Sequence, residues 1–467
     1  MTLLERAKGS ALDVTICPEP PPGTITLLSP CFQQIRHLGF SYSQWKDIVT
    51  YPEISSGPLP LLSTLVVNPH EYAQPSPVIP HSLSFFGGAV NLKRFVFNSK
   101  KLNLLDHFNF PNLITLELTA QQAWPSNASE TFNASDLFHF LKASPMLQTV
   151  EVEFSGRISL EGVPQEPITV LPNVETLSLS VGNPSDVYEI ASWVSCPCAK
   201  HTSLNQDLPD NKVIPGLEIF PTPALWNMIT SRYARGLVEE VALEIKPDLY
   251  GSGITCLLTF RSSDATTVRL ASHVYETGED DVYTPSNEVG WELFSRACST
   301  IQNYPSLPHV KRIHIKYRAA IPHPGEAIPM SDCVGGLFDS MGLLDELTIH
   351  GCDLHIFLGS FLQDLYYSET PVSFPHIKEL TILHPLMEVD EDECLDAIVD
   401  LAESQHEKGI PFERMTFRAG WLPVAMAERL MEWVDVVECY EEEYEEGQDE
   451  CRTGIGHGLV PTCAVAE

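Results

Sequence analysis

The chain has 467 residues, of which 43% are hydrophobic and 19% charged, enough apolar side chain for a large core and too much for a disordered polymer. Its 62 acidic against 28 basic residues give a formal charge of −34, a field that opposes phosphate backbones and anionic lipid heads. General nucleic-acid binding and membrane-surface binding are therefore excluded as expectations. No run reaches the roughly 18 apolar residues of a membrane-spanning helix.

The start, "MTLLERAKGSALDVTICPEPPPG", has no long apolar core and no cleavage-type end, so it does not read as a signal peptide. Residues 1–24 are expected to be a flexible N-terminal segment. The first apolar comb tooth follows at "QIRHLGF" (Ile35, Leu38), then "PLLSTLVV" from Pro60, "NLKRFVF" at Leu92 and "PNLITLEL" from Pro111. Asn127 and Asn133 head N-x-[ST] triplets; with no export signal both are read as chance. A helix is expected over Ser135–Pro145, capped by Ser135, with Leu137, Phe140 and Leu141 on one face. "PMLQTVEV" from Pro145 and "PNVETLSL" from Pro172 continue the comb, and "DVYEIASWV" reads as a helix.

"CPCAKH" (Cys196–His201) could open a metal site, but a structural zinc needs four ligands, usually as two pairs, and no second compact pair is present. An ordinary solvent-near loop is the reading. "PALWNMITSRYARG" starts on Pro223 and stops at Gly236, the asymmetry of a helix. "GLVEEVAL" at Leu237 is a further tooth. "ITCLLTF" (Ile254–Phe260) and "TTVRLAS" (Thr266–Ser272) read as a β-hairpin inserted over about 252–275, with Tyr275–Gly290 a polar loop. After the helix "WELFSRACSTIQNYP" come "PHVKRIHI" from Pro308, the tooth at Leu344 and, past the helix "HIFLGSFLQDLYY", "PHIKELTI" from Pro375. His350, Cys352, Asp353 and His355 are read as turn residues. "EVDEDE" (Glu388–Glu393) has Glu393 where a calcium loop needs glycine, so it reads as the acidic first turn of the helix "DECLDAIVDLAESQHEKG". "FERMTF" at Phe412 is the last tooth and "VAMAERLMEWVDVV" a helix. Residues 439–467, with "CYEEEYEEGQDE", are expected to be an acidic, disordered tail.

The middle apolar residues of the eleven teeth are Leu38, Leu65, Phe95, Leu116, Val150, Leu177, Val241, Ile313, Leu347, Leu380 and Met415. Most are 21 to 35 residues apart; two intervals are longer, 64 to Val241 and 72 to Ile313. Alternating side chains put both apolar residues of each tooth on one face, which a single strand cannot bury. Stacking the strands in parallel with helices between them buries it, so the expected fold is an α/β, irregular leucine-rich-repeat solenoid over 25–438. Only "LTIHGC", with Cys352, keeps the regular Asn/Cys position.

The free side chains of the teeth then share one concave strand face. They are Thr115, Glu117 and Thr119; Thr149, Glu151 and Glu153; Thr176, Ser178 and Ser180. On "KRIHIKYR" they are Arg312, His314 and Lys316, a basic strip that could take an acidic partner or pair with neighbouring teeth such as Glu346 and Thr348 on "LLDELTI". G-x-S-x-G, H-E-x-x-H and phosphate-loop motifs are absent, and no cofactor is implied. The expected function is a non-enzymatic, monomeric scaffold holding a protein partner on this face. The alternative is a hydrolase or metal-dependent enzyme in the irregular 180–300 region. Twelve scattered Cys and no export signal fit the cytoplasm or nucleus.

The order of the "FPxΦxxΦxΦ" teeth at Phe110 and Phe374 (Φ apolar), "ALWNMITSRYARGLVEEVALEI", "ITCLLTF", "LFDSMGLLDELTIHGC" and "GIPFERMTFR…MEWVDVVECYEE" resembles the F-box/leucine-rich-repeat-like proteins of basidiomycete fungi, from about Pro30 to Tyr440. That resemblance implies the substrate-recognition part of an F-box-type ubiquitin ligase. Family members begin with an F-box that docks on the cullin-ligase adaptor. "LERAKGSALDVTICPEPPPG" lacks its pattern, so the expectation is a truncated or F-box-less relative, with adaptor binding only if an F-box lies upstream.

Overall fold

A computed structural model describes residues 9–17, 23–41, 44, 48, 57, 59–68, 89–98, 108–120, 131–154, 157–159, 169–182, 184–208, 220–233, 236–247, 253–275, 287–305, 307–317, 330–350, 377–383, 391–418, 422 and 424–440. The architecture is mixed α/β, and sixteen of its strands build mostly parallel, unclosed sheet. The chain divides into two compact units, Met1–Arg235 with Asp264–Ser272, and Gly236–Ser263 with His273–Glu467.

In the first unit eight strands pair in chain order and all in parallel: β1 (Leu12–Thr15), β2 (Ile35–Ser41), β3 (Thr64–Asn68), β4 (Arg94–Asn98), β5 (Thr115–Ala120), β6 (Thr149–Phe154), β7 (Thr176–Val181) and β8 (His201–Leu208). Two of these lie outside the eleven predicted teeth. β1 falls in the stretch expected to be flexible, and β8 fills the long interval before Val241. β8 escapes an apolar pattern because Thr202 and Gln206 take core-facing places beside Leu204. Gln206 is buried, and its Nε2 donates to Ser272 Oγ at 2.6 Å.

A repeated turn starts these strands. Leu62 N–H donates to Leu59 O, Leu92 to Ala89, Leu113 to Phe110, Leu147 to Ser144, Val174 to Leu171 and Ala199 to Cys196, at 3.0–3.5 Å. Each acceptor residue is buried. The residue before the strand then links to the preceding repeat: Gln148 N–H donates to Ile114 O, Glu175 to Gln148 O and Lys200 to Glu175 O, each at 2.8 Å. Each of these carbonyls also takes the next N–H along, from Thr149, Thr176 and His201 at 3.0–3.1 Å. Asn side chains add a second tie. Asn91 Nδ2 donates to Pro60 O at 2.7 Å, Asn112 to Val90 O at 2.8 Å and Asn173 to Pro145 O at 3.1 Å. Turn asparagine thus works at the strand entrance; Cys352, the exit position expected to do this, lies outside the described residues.

Five Phe rings fill the core under β4 and β5. Phe95 packs against Phe97, Phe108, Phe110 and Phe140 with centroids 4.9–6.1 Å apart. Phe140 comes from helix α1 (Ala134–Ala143), whose Leu137, Phe138 and Leu141 are also buried. The cap is Asn133 rather than Ser135: its side chain accepts the Ser135 N–H at 2.9 Å. An extended residue two before the donor suits this better than Ser135, which is already helical. Helices α2 (Pro184–Trp193) and α3 (Pro223–Tyr233) follow, and buried Tyr233 Oη donates toward the carbonyls of Ala191 and Val194 at 2.7 and 2.9 Å.

In the second unit β9 (Val238–Pro247) pairs antiparallel with β10 (Gly253–Ser262) and parallel with β12 (Arg312–Tyr317); strand β11 (Thr267–Tyr275) begins in the first unit. β13 (Glu346–His350), β14 (Glu379–Leu383), β15 (Arg414–Arg418) and β16 (Val436–Tyr440) continue in parallel. The strands expected of the hairpin are both present. β10 pairs directly with a tooth, and the link to β11 turns at Ala265 (φ 65°), where Asp264 Oδ1 accepts from Thr266. Helices here are α4 (Asn287–Gln302), α5 (Met330–Asp339), α6 (Glu391–Glu407) and α7 (Val424–Leu430). Glu391–Glu393 open α6, and Gly409 follows it at φ 74°. Val436–Tyr440 is strand, although the pattern predicts a helix through "VDVV" and a tail from Cys439. "HIFLGSFLQDLYY", Asp353, His355 and Glu441–Glu467 lie outside the described residues.

Candidate protein-binding faces

All eleven predicted middle residues lie in strands and are at most 2% exposed, so the residues between them are set on the other face. In the first unit the register aligns Thr115, Thr149 and Thr176 in one row and Glu117, Glu151 and Ser178 in the next. Thr119, Glu153 and Ser180 form a third row. These side chains are half-buried except Glu151 and Glu153, which are exposed. Glu117 is held by Arg94, whose Nε and Nη2 donate to its two oxygens at 2.9 and 3.2 Å. Among the described residues Glu151 and Glu153 make no ion pair. The three strands thus align small hydroxyls with the carboxylates of Glu151 and Glu153.

In the second unit the outward positions of β9, β12 and β13 align as Glu240, Arg312 and Glu346, then Ala242, His314 and Thr348, then Glu244, Lys316 and His350. The basic strip is compensated, but mainly from β9. Glu240, whose side chain is 10% exposed, accepts from Arg261 Nη1 at 2.6 Å and lies 3.4 Å from Arg312 Nε and 3.6 Å from His314 Nε2. Arg312 Nε is close enough for an ion pair and is not aligned as a hydrogen bond. Lys316 Nζ meets Glu244 at 3.1 Å. Burial holds the His314 imidazole below its ordinary range, Glu240 acts the other way, and Arg261 and Arg312 add to the lowering. Burial also raises the Glu346 carboxyl; Arg312 opposes this, and Glu379, Asp345 and Glu240 reinforce it.

Glu240 and Glu244 were not in the sequence-derived set, although strand alternation around Val241 would have placed both outward. What hid them is separation: β9 and β12 are direct neighbours although Ile313 lies 72 positions beyond Val241. Arg414 and Arg418 were missed too. They project with Thr416 from β15, in line with Glu379, Thr381 and Leu383.

No protein-family model and no curated protein matches this chain. Chemistry in the 180–300 region rests on Cys196, Cys198 and their neighbours. Cys196 is buried at the head of the β8 turn, not in an open loop, and burial, with Cys198 beside it, pushes its thiol up to about 12. A thiol so placed is neutral and a poor nucleophile or ligand. Cys198 is exposed. "CPCAKH" is thus one more copy of the strand-entrance turn, with Cys196 where Phe110 and Leu171 stand in others. Among the described residues no group of three or more His, Cys, Asp or Glu is placed to hold a metal ion. Among them also no helix is long and apolar enough to cross a membrane.

Proposed function

We propose that the chain is a non-enzymatic scaffold of irregular leucine-rich-repeat type that holds another protein on the outward face of its parallel strands. The observation that supports it most is the register of Thr115, Thr149 and Thr176 with Glu117, Glu151 and Ser178: polar side chains in straight rows, strand after strand, opposite a wholly apolar face. A partner reading such rows meets fixed side chains and loses little conformational entropy of the receptor on binding. The resemblance to F-box/leucine-rich-repeat-like proteins supports a finer reading, substrate recognition for an F-box-type ubiquitin ligase in the cytoplasm or nucleus.

Site-specific photo-crosslinking tests the scaffold. A crosslinking residue at Glu151 should capture a discrete protein partner, and the same residue at Ser231, exposed on helix α3, should not. Equal capture at both would sink the reading. The ligase part is tested separately by co-purification of the full transcript's product with the cullin adaptor; no association removes that part alone.

A further inference from the structure

The sequence points to Arg312, His314 and Lys316 as a dock for an acidic segment, but Glu240 and Glu244 already take those charges. Two cations without such a partner lie together on β15. Arg414 and Arg418 are both exposed, and among the described residues neither forms an ion pair. Arg418 instead lies over the Tyr440 ring on the adjacent strand, its guanidinium carbon 5.7 Å from the ring centroid. Among the described residues the nearby carboxylates do not pair with them. Glu438 is engaged by the Tyr440 hydroxyl at 3.0 Å, and Glu379, opposite Arg414 in register, is not within ion-pair distance. In a chain of −34, these two arginines on one strand are without an ion pair among the described residues.

Their surroundings fit a protein contact. Tyr440 is 47% exposed beside Arg418, and Val436 39% exposed beside Arg414. Arginine and tyrosine side by side are the residue types that dominate interface energetics. The guanidinium fork recognises carboxylates in two-point geometry, and stacking on Tyr440 limits the freedom of Arg418 beforehand. Four strand residues separate the two arginines by about 13 Å. That spacing matches two carboxylates four residues apart on an extended chain.

We propose, on the footing of the scaffold reading, that Arg414, Arg418 and Tyr440 form a docking surface for an extended acidic segment of the protein partner. An uncharged or basic segment gains nothing from the forks, and one lying along the strand direction meets both.

The probe is a fluorescein-labelled peptide with two glutamates four residues apart in a Thr/Ser background, titrated with the full chain at low and at physiological salt. Binding should fall at least tenfold in Arg414→Glu/Arg418→Glu, and stay unchanged in Arg312→Glu/Lys316→Glu. Arg418→Lys should retain a part of it, since the charge remains and the planar fork is lost. Thermal unfolding of each variant checks the fold: Arg414 and Arg418 are exposed and their variants should leave it intact, whereas Arg312→Glu/Lys316→Glu, beside Glu240 and Glu244, should lower the midpoint without abolishing folding. Equal binding by the double variant, or by a peptide with lysine for glutamate, overturns the inference. So does tighter peptide binding when Glu441, Glu442, Glu443, Glu445 and Glu446 are replaced by glutamine, because the occupant is then this chain's own acidic run. If the peptide ignores β15 while Glu151 still crosslinks a partner, this surface falls and the scaffold stands.

Discussion

Glu240 accepts a hydrogen bond from Arg261 at 2.6 Å while the rest of its carboxylate faces the basic side chains of β12. It is among the few buried charged groups of the described chain. Arg261 and Arg312 keep access to water, with side chains 58% and 43% exposed, so the two partners can be rehydrated and Glu240 cannot.

Glu240→Ala should therefore destabilise the protein by about 1–3 kcal/mol, less than the loss of one partner from a fully buried pair. Arg261→Ala should cost less than Glu240→Ala, since Arg312 and His314 still face the carboxylate. Urea unfolding of both variants measures the order, and the reverse order would mean that Glu240 is not the hub.

The same cluster gives stability a pH dependence. Burial holds His314 below its ordinary 6.5, helped by Arg261 and Arg312 and opposed by Glu240; Thr348 stands opposite it on β13, and Glu346 stands opposite Arg312. The unfolded chain takes the proton first, so this group costs stability as pH falls below about 6.5 toward the folded value, and nothing above it. His314→Gln should reduce the loss of urea midpoint between neutral and mildly acid pH. Glu346 acts in the opposite sense: its raised carboxyl favours the folded chain as pH falls through the acid range. An unchanged pH profile in His314→Gln would remove His314 from the account.

Leu116 is fully buried under β5 between Phe95 and Val150 in register, and Leu116→Ala should cost about 2–5 kcal/mol as a cavity. Thr119→Ala, on the other face of the same strand, should stay within about 0.5 kcal/mol. Equal costs would mean that the two faces are misassigned.

Asn112→Ala removes a side-chain donor that ties one strand entrance to Val90 O in the preceding repeat. The site is exposed, so water replaces part of the bond and the expected cost is about 0.5–1.5 kcal/mol. Asn112→Asp should be no better, because a carboxylate cannot donate. Thermal unfolding of the pair separates a donor role from a merely polar one.

The strands were legible where burial is uniform. Leu38, Leu65, Phe95 and the other middle residues recur because every tooth must bury an apolar row. β8 was not, because the core-facing place of Gln206 is held by a polar side chain that donates to Ser272, a residue far along the chain. β1 and β16 were not, because the end strands have short or half-covered apolar rows. Of the candidate faces, the rows of the first unit followed from alternation and spacing alone. The charge balance of the second did not, since it depends on which strands become neighbours across long intervals.

Each strand-entrance carbonyl that takes two N–H groups, such as Ile114, Gln148 or Glu175, is bonded only to the next turn along the chain. Such links are local and successive, so β5, β6 and β7 protect one another as a zipper does, each tooth closed by its neighbour. β1, paired among the described residues with β2 alone, is where amide hydrogen exchange in the first unit should begin, advancing strand by strand toward the Phe95 cluster.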